Sequence, residues 1–244
     1  MAVISEIGAP LSPRGLLRSS RGYCSELPEF PGMTLRDYRA WHDQYDNPAS
    51  PLAERLRTVQ GRLAELLDGA PPGPIRVISM CAGQGRDVLA VLPRHPRRAD
   101  VTVTLVELDS HNVHVARATA SAEGLTSAEV VQGDASISDT YESSAPADVV
   151  LVCGIFGNIS DADVENTVRT VSMLCKTSAA IMWTRHRREP DLTRRIRRWL
   201  GEAGFVEIGF DALDNQSRSG VGTARLVGPP ESWRAGHRFF TFIR

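Results

Sequence analysis

The chain has 244 residues, 42% of them apolar, and its 28 basic and 29 acidic side chains leave a formal charge of −1. That length suits one large domain, or one domain with an appended cap, and the balanced charge excludes a general pull toward nucleic acid or anionic lipid. No apolar run approaches the ~20 residues needed to cross a bilayer, and Met1 to Gly8 has neither the basic start nor the long apolar core of a secretory signal. Cys24, Cys81, Cys153 and Cys175 are scattered without Cys-x-x-Cys spacing, and no histidines pair with acids at ligand spacing. The expectation is a cytoplasmic protein with reduced thiols, no metal and no membrane attachment.

Residues 1–32 are rich in Gly, Pro, Ser and Arg, lack periodicity, and read as a flexible N-terminal arm. Residues 33–72 read as a helical cap or lid. Thr34 caps a helix through Leu35, Tyr38, Trp41, His42 and Tyr45 that stops near Asn47-Pro48. Ser50-Pro51 opens a second helix, in which Leu52, Leu56, Val59, Leu63, Leu66 and Leu67 keep helical spacing.

From residue 73 to 244 the pattern is that of a Rossmann-like α/β domain, a doubly wound, mostly parallel sheet. Strands are predicted at 75–80, 101–107, 128–132, 147–153 and 178–184, and helices at 86–92, 110–122, 161–174 and 190–203. The connections are too long for hairpins and suit right-handed crossovers. Two last strands, Phe205 to Phe210 and His237 to Ile243, have no helical pattern between them and predict an antiparallel close.

The chemistry concentrates where the first strand ends, in Ser79-Met-Cys-Ala-Gly-Gln-Gly-Arg-Asp87. Gly83 and Gly85 allow the backbone to bend sharply and lie against a ligand, and a helix starting after them would aim free N–H groups at the same spot. The second strand ends in Glu107, 22 residues beyond Gly85, where a nucleoside fold places an acid on the ribose hydroxyls. The third ends in Gly133-Asp134-Ala135. Three strand ends thus offer polar groups to one crevice. A dinucleotide fingerprint does not fit, because a small third residue is required where Val88 stands, and in the other register Cys81 replaces the first glycine.

This set resembles the class I S-adenosylmethionine-dependent methyltransferases over about residues 34–244, through the loop 79–87, Val106-Glu-Leu-Asp109, Gly133-Asp-Ala135 and Cys153-Gly-Ile-Phe-Gly-Asn-Ile159. Trp41-His42-x-x-Tyr45, Phe156-Gly-Asn-Ile159 and Trp183-Thr-Arg-His-Arg187 look more narrowly like a little-characterised bacterial group. The resemblance implies a seven-stranded sheet with an antiparallel last strand, and S-adenosylmethionine as cofactor with S-adenosylhomocysteine as product. It places Ala82, Gly83 and Gly85 against the amino-acid and ribose parts and Glu107 on both ribose hydroxyls. Leu108 would lie on the adenine face, Asp134 and Ala135 at its polar edge, and Cys153, Gly154 and Phe156 at the transfer point. The family's acid in the first strand is Ser79 here, and its first loop glycine is Cys81, which implies a wider turn.

Methyl transfer asks the protein mainly to align an acceptor with the S–CH₃ bond and exclude water. A base is needed only where the acceptor must lose a proton, and the candidates are His42, Tyr45 and His186. Trp41, Tyr45 and Phe156 are candidates for a pocket around a flat acceptor, such as an aromatic or indole-like natural-product intermediate. The Asp/Asn-Pro-Pro-aromatic motif of amino-methylating nucleic-acid enzymes is replaced by Gly154-Ile-Phe-Gly157, which argues for a small-molecule acceptor. Arg185 to Arg198 holds eight Arg or His residues in fourteen, either a solvated helix face or a phosphate strip that would favour nucleic acid. A protein that binds the cofactor without transferring methyl is the third reading.

Overall fold

The computed structural model describes residues 44–243. The arm, the helix opened by Thr34, Trp41 and His42 lie outside the described residues; Tyr45 falls in a short 3-10 turn, Gln44–Asp46. The elements that follow are α1 (Pro51–Asp68), β1 (Ile75–Met80), β2 (Val101–Glu107), α2 (Ser110–Ala122), β3 (Ala128–Gln132) and β4 (Ala147–Val152). After them come α3 (Asp161–Thr170), β5 (Cys175–His186), α4 (Thr193–Glu202), β6 (Phe205–Ala212) and β7 (Ser219–Leu226). All seven strands form one sheet in the order β3-β2-β1-β4-β5-β7-β6, with β7 antiparallel to both its neighbours. This is the Rossmann-like methyltransferase arrangement that the sequence predicts.

The alternation of side chains along each strand divides the core into two layers. On one face, Ile75, Val77, Leu105 and Leu151 pack with Val59, Leu63 and Leu67 of α1 and Val113 and Ala116 of α2. On the other, Ile78, Val150, Ile181 and Trp183 pack with Val164 and Val168 of α3 and Ile196, Trp199 and Leu200 of α4. Helix α1 therefore belongs to the core, with Leu63 and Leu67 fully buried, and does not stand apart as a lid. The helix starts follow the capping chemistry: Ser50 Oγ accepts from Ala53 N, Asp109 Oδ1 from Asn112 N, and Ser160 Oγ from Asp163 N.

Two expectations are corrected. No α-helix forms over 86–92; the chain makes turns closed by Leu89 N to Gly85 O (2.8 Å) and Leu92 N to Val88 O (3.1 Å), then a 3-10 turn, Leu92–Arg94. Pro93 has no N–H to extend the ladder and its ring opposes the Leu89 carbonyl. The loop after β1 is therefore not backed by a helix dipole.

The last strand is β7, not His237 to Ile243. Its Ser-Gly-Val-Gly start reads as a loop, yet the glycines are steric necessities: a Cβ on Gly222 would lie 2.2 Å from the Trp183 indole, and one on Gly220 would lie 2.7 Å from the Phe210 ring. Residues 237–243 instead run as a strap outside the sheet, bridged to the loops after β3 and β4 through Ile137–Arg238 and Ile159–Phe242.

Candidate functional site

β1 and β4 are parallel neighbours from which the chain winds outward to opposite edges of the sheet, and in such folds ligands bind outside the carboxyl ends of the strands at that point. The loop after β1 is held from several sides. Ala82 N donates to Val106 O (2.9 Å) and Gly85 N to Ala82 O (2.8 Å). Gly85 has φ +69°, which strains any side chain, and a Cβ there would also press on the Leu89 and Leu105 methyls at 2.8 and 2.9 Å. Cys81 adopts φ 50° itself. The turn expected to widen for lack of the first glycine is instead kept by a cysteine in the left-handed region.

Glu107 closes β2. One carboxylate oxygen accepts the Gly83 N–H at 2.8 Å and the other the Asp109 N–H at 2.9 Å. An ionised carboxylate offers about four acceptor positions, so two bonds leave room for a diol. Asp134, beyond β3, uses Oδ1 to accept from Ser136 N (2.9 Å) and Ser136 Oγ (2.6 Å), while Arg238 of the C-terminal strap lies 3.5 Å from Oδ2. Ala135 is buried, and its carbonyl accepts from the Tyr141 hydroxyl at 2.8 Å. Leu108 is 68% exposed at the mouth.

After β4, Gly154 has φ +77°, and a Cβ built there meets no atom of the described residues within 4 Å. Strand β5 braces it from the side: Gly154 N donates to Thr184 Oγ1 at 2.8 Å, and the Arg185 guanidinium donates to the Phe156 carbonyl. Asn158 Nδ2 donates to Gly154 O at 2.8 Å. Phe156, expected at the transfer point and in the acceptor pocket, puts its ring in the core against Trp183, with 2% exposure. Its backbone borders the loop, but its ring has no face to offer an acceptor.

Residues 77–178 match a family model described as a methyltransferase domain. These residues are thus similar to a methyltransferase domain, and they lie in a sheet with the strand order of the class I methyltransferase fold. No curated protein matches the sequence, but solved structures share the fold. An O-methyltransferase family protein from Burkholderia thailandensis superposes with a TM-score of 0.60 at 18% identity, over 78% of this chain and 60% of its own, so this chain spans less than two thirds of that relative. Magnesium protoporphyrin IX methyltransferase (ChlM) from Synechocystis PCC 6803, solved with bound S-adenosylmethionine, gives 0.60 at 16% identity, over 78% of this chain and 90% of its own. A possible exported protein from Bordetella parapertussis gives 0.55 at 19% identity, over 72% and 68%. These likenesses establish fold. The methyl donor of class I enzymes is S-adenosylmethionine.

The 44–46 turn docks on the glycine loop. Arg86 pairs with Asp46 (2.5 Å), bonds Gln84 Oε1 (2.9 Å) and lies 5.7 Å from the Tyr45 ring centre. The Arg86 guanidinium holds the Asp46 carboxyl below its ordinary range. Arg55 of α1 donates to the Tyr45 hydroxyl at 2.9 Å. Burial pushes the Tyr45 phenol up, more than Arg55 lowers it, so Tyr45 keeps its proton at neutral pH and is unsuited to act as a base. His186 is half-buried at the end of β5, opposite Ser219. Burial also raises the Cys81 and Cys153 thiols, so both are neutral.

Sequence reasoning missed Asp87 and Arg55. Asp87 follows the loop, its Oδ1 accepting from Val88 N (2.9 Å) and its Oδ2 lying 3.5 Å from Ser79 Oγ. The signal available was the Arg-Asp pair directly after the glycines.

The basic stretch is largely neutralised. Arg197 makes a two-point contact with Glu207 (2.6 and 2.7 Å), Arg195 faces Asp161 and stacks 4.7 Å over Trp199, and Arg198 lies 3.6 Å from Glu202. Among the described residues no helix is long and apolar enough to cross a membrane.

Proposed function

We propose that this protein transfers the methyl group of S-adenosylmethionine to a small organic molecule, with a flat aromatic or indole-like natural-product intermediate as the acceptor class. The observation that carries the donor half is Glu107, an acid at the end of β2 whose two oxygens each retain acceptor capacity after fixing Gly83 and Asp109. Among the described residues no atom crowds Gly154, where β4 ends. Leu108, exposed beside Glu107, gives an apolar surface for a purine face, and Asp134 with Ala135 borders its polar edge.

When bound, the donor's sulfonium supplies an electrophilic methyl that needs no covalent help from the protein. The chain's own work is placement. Thr184, Arg185 and Asn158 fix the Gly154–Phe156 backbone that borders the transfer point, and orientation of this kind contributes on the order of 7–11 kcal/mol in well-aligned reactions. With Tyr45 protonated, His186 and His42 remain the candidates for a base, needed only for acceptors that lose a proton. Pairing of Arg195, Arg197 and Arg198 with carboxylates favours the small-molecule reading over a nucleic-acid one, and the Synechocystis relative, a magnesium protoporphyrin IX methyltransferase, shows that the fold serves a small-molecule acceptor.

Calorimetric titration with S-adenosylmethionine, S-adenosylhomocysteine and, as control, NAD tests the donor. Micromolar binding of the sulfur ligands and none of NAD is expected; absence of both overturns the reading. Incubation with methyl-labelled donor and separate pools of phenols, indoles, tRNA and duplex DNA tests the acceptor. Label in the nucleic-acid pools would overturn the small-molecule assignment.

A further inference from the structure

A groove of about 800 Å³ lies where β4 and β5 begin, between the 142–146 turn and the segment that follows β7. The two strands run parallel, so their starts lie at the end of the sheet away from Glu107 and Gly154. None of the residues placed in the crevice lines it. Its volume falls within the ~300–1,000 Å³ of small-molecule sites.

The floor includes Met173 and Cys175, 5% and 1% exposed, and Trp233 forms part of the wall. Trp233 is 38% exposed, whereas Trp183 and Trp199 are buried. A single surface indole is ordinary, but this one borders a space whose walls are fixed. Glu231 N donates to Ser172 Oγ at 3.1 Å, Ser138 Oγ to Arg234 O at 2.7 Å, and Gly236 N to Asp139 Oδ1 at 2.6 Å. The chain is thus tied down on both sides of Trp233. Across the groove, Ala145 N donates to the Tyr141 carbonyl at 2.8 Å, and Tyr141 is wholly buried.

The charges at the groove are Lys176, Glu142 and Glu231. The lysine is already engaged: its Nζ lies 2.6 Å from Asp148 Oδ2. Glu231 meets Arg234 only at 4.0 Å, the outer limit of an ion pair, with both side chains about half exposed. Glu142 makes no ion pair among the described residues. Two carboxylates with weak compensation or none therefore stand beside an indole. That combination attracts a cation twice over, through the opposite charge and through the negative face of the ring.

We propose that this groove is a second binding site, for a small flat organic cation whose ring stacks on Trp233 and whose charge is met by Glu142 and Glu231. The single aromatic wall decides the shape: one indole face covers a planar ring, whereas a tetrahedral ammonium is held by a cage of several rings. The groove shares no residue with the crevice and takes its ligand whether or not the crevice is filled.

A titration of the full chain with three ligands of one ring system tests this. They are N-methylquinolinium, a cation; quinoline, at a pH where it is uncharged; and quinoline-2-carboxylate, an anion. Binding is read from the Trp233 indole N–H signal in proton–nitrogen NMR spectra, assigned by its loss in Trp233→Leu. The cation should shift this signal saturably, quinoline should bind about fivefold more weakly or worse, and the anion should leave the signal in place. Replacing both acids, Glu142→Gln with Glu231→Gln, should bring the cation down to the affinity of quinoline. The wild-type ligand series carries the result even where a variant fails to fold. Equal affinities for cation and neutral ring, or no saturable shift at all, would overturn the proposal. An undiminished cation affinity in the doubly substituted chain would overturn it too. Saturating S-adenosylhomocysteine should leave the cation in place; its displacement would put the cation in the donor crevice and not in this groove.

Discussion

The Glu107 carboxylate accepts the N–H of Gly83 at 2.8 Å, so the acid that ends the second strand also fixes the loop that ends the first. Ligand recognition and loop geometry are joined in one side chain. Glu107→Ala removes both, and Glu107→Gln keeps an acceptor oxygen for one of the two backbone donors while losing the charge. S-adenosylhomocysteine affinity is expected to drop about tenfold or more in the Ala variant and less in the Gln variant, as read by calorimetry. Equal affinity in wild type and Glu107→Ala would remove Glu107 from the site.

Gly222 faces the indole of Trp183 so closely that a methyl group there would lie 2.2 Å from a ring atom. Trp183 is 1% exposed and wedged between Phe156 and Phe210, with no direction in which to yield. Gly222→Ala should cost roughly 1–3 kcal/mol, the usual range for overpacking, or somewhat more given the fixed ring. Urea denaturation of Gly222→Ala, Trp183→Leu and the double variant checks this. The double variant should be more stable than the sum of the two single losses predicts.

That contact also explains which parts of the fold were readable in the sequence. Strands β1, β2 and β3 have apolar runs bounded by turn residues, and their limits were predicted to the residue. Helices α1 and α2 likewise carry periodicity and a capping residue. Strand β7 carries a Gly-x-Gly start chosen by the bulk of Trp183 and Phe210 on neighbouring strands, a tertiary demand that overrides β propensity. The apolar Val88, Leu89, Val91 and Leu92 suggested a helix because their spacing is helical, but Pro93 ends it after a turn. In the site, Glu107 and the glycines were legible because each sits at a strand end with a fixed offset. Asp87 was not, because its approach to Ser79 of β1 appears only once the chain is folded.

The C-terminal strap reaches the crevice through Arg238. Its guanidinium bonds Ser136 Oγ at 2.7 Å and lies 3.5 Å from Asp134 Oδ2, while Ile243 N donates to Asn158 O at 3.0 Å. The strap thus ties the loop after β3 to the loop after β4. Both charged partners are about half exposed, so the ion pair itself contributes little to stability, of order 0–1 kcal/mol. Arg238→Ala should leave the melting temperature nearly unchanged and weaken methylthioadenosine, the nucleoside fragment, severalfold. A large fall in melting temperature with unaltered ligand affinity would assign Arg238 to folding alone.

Asp87 ties the stability of the fold to pH. Its folded-state pKa, about 6, lies above the ordinary carboxyl value of 3.8. The folded protein therefore holds the proton more tightly than the unfolded chain, and stability falls as pH rises between those two values, with the full penalty present above about pH 7. Asn at this position keeps an oxygen for the Val88 N–H and never ionises. Asp87→Asn should thus be more stable than wild type at neutral pH, by on the order of 1–3 kcal/mol, and the gain should shrink toward zero near about pH 4. Urea midpoints measured across that range give the sign directly. A variant that is less stable than wild type at neutral pH would mean that the Asp87 charge is already satisfied within the protein.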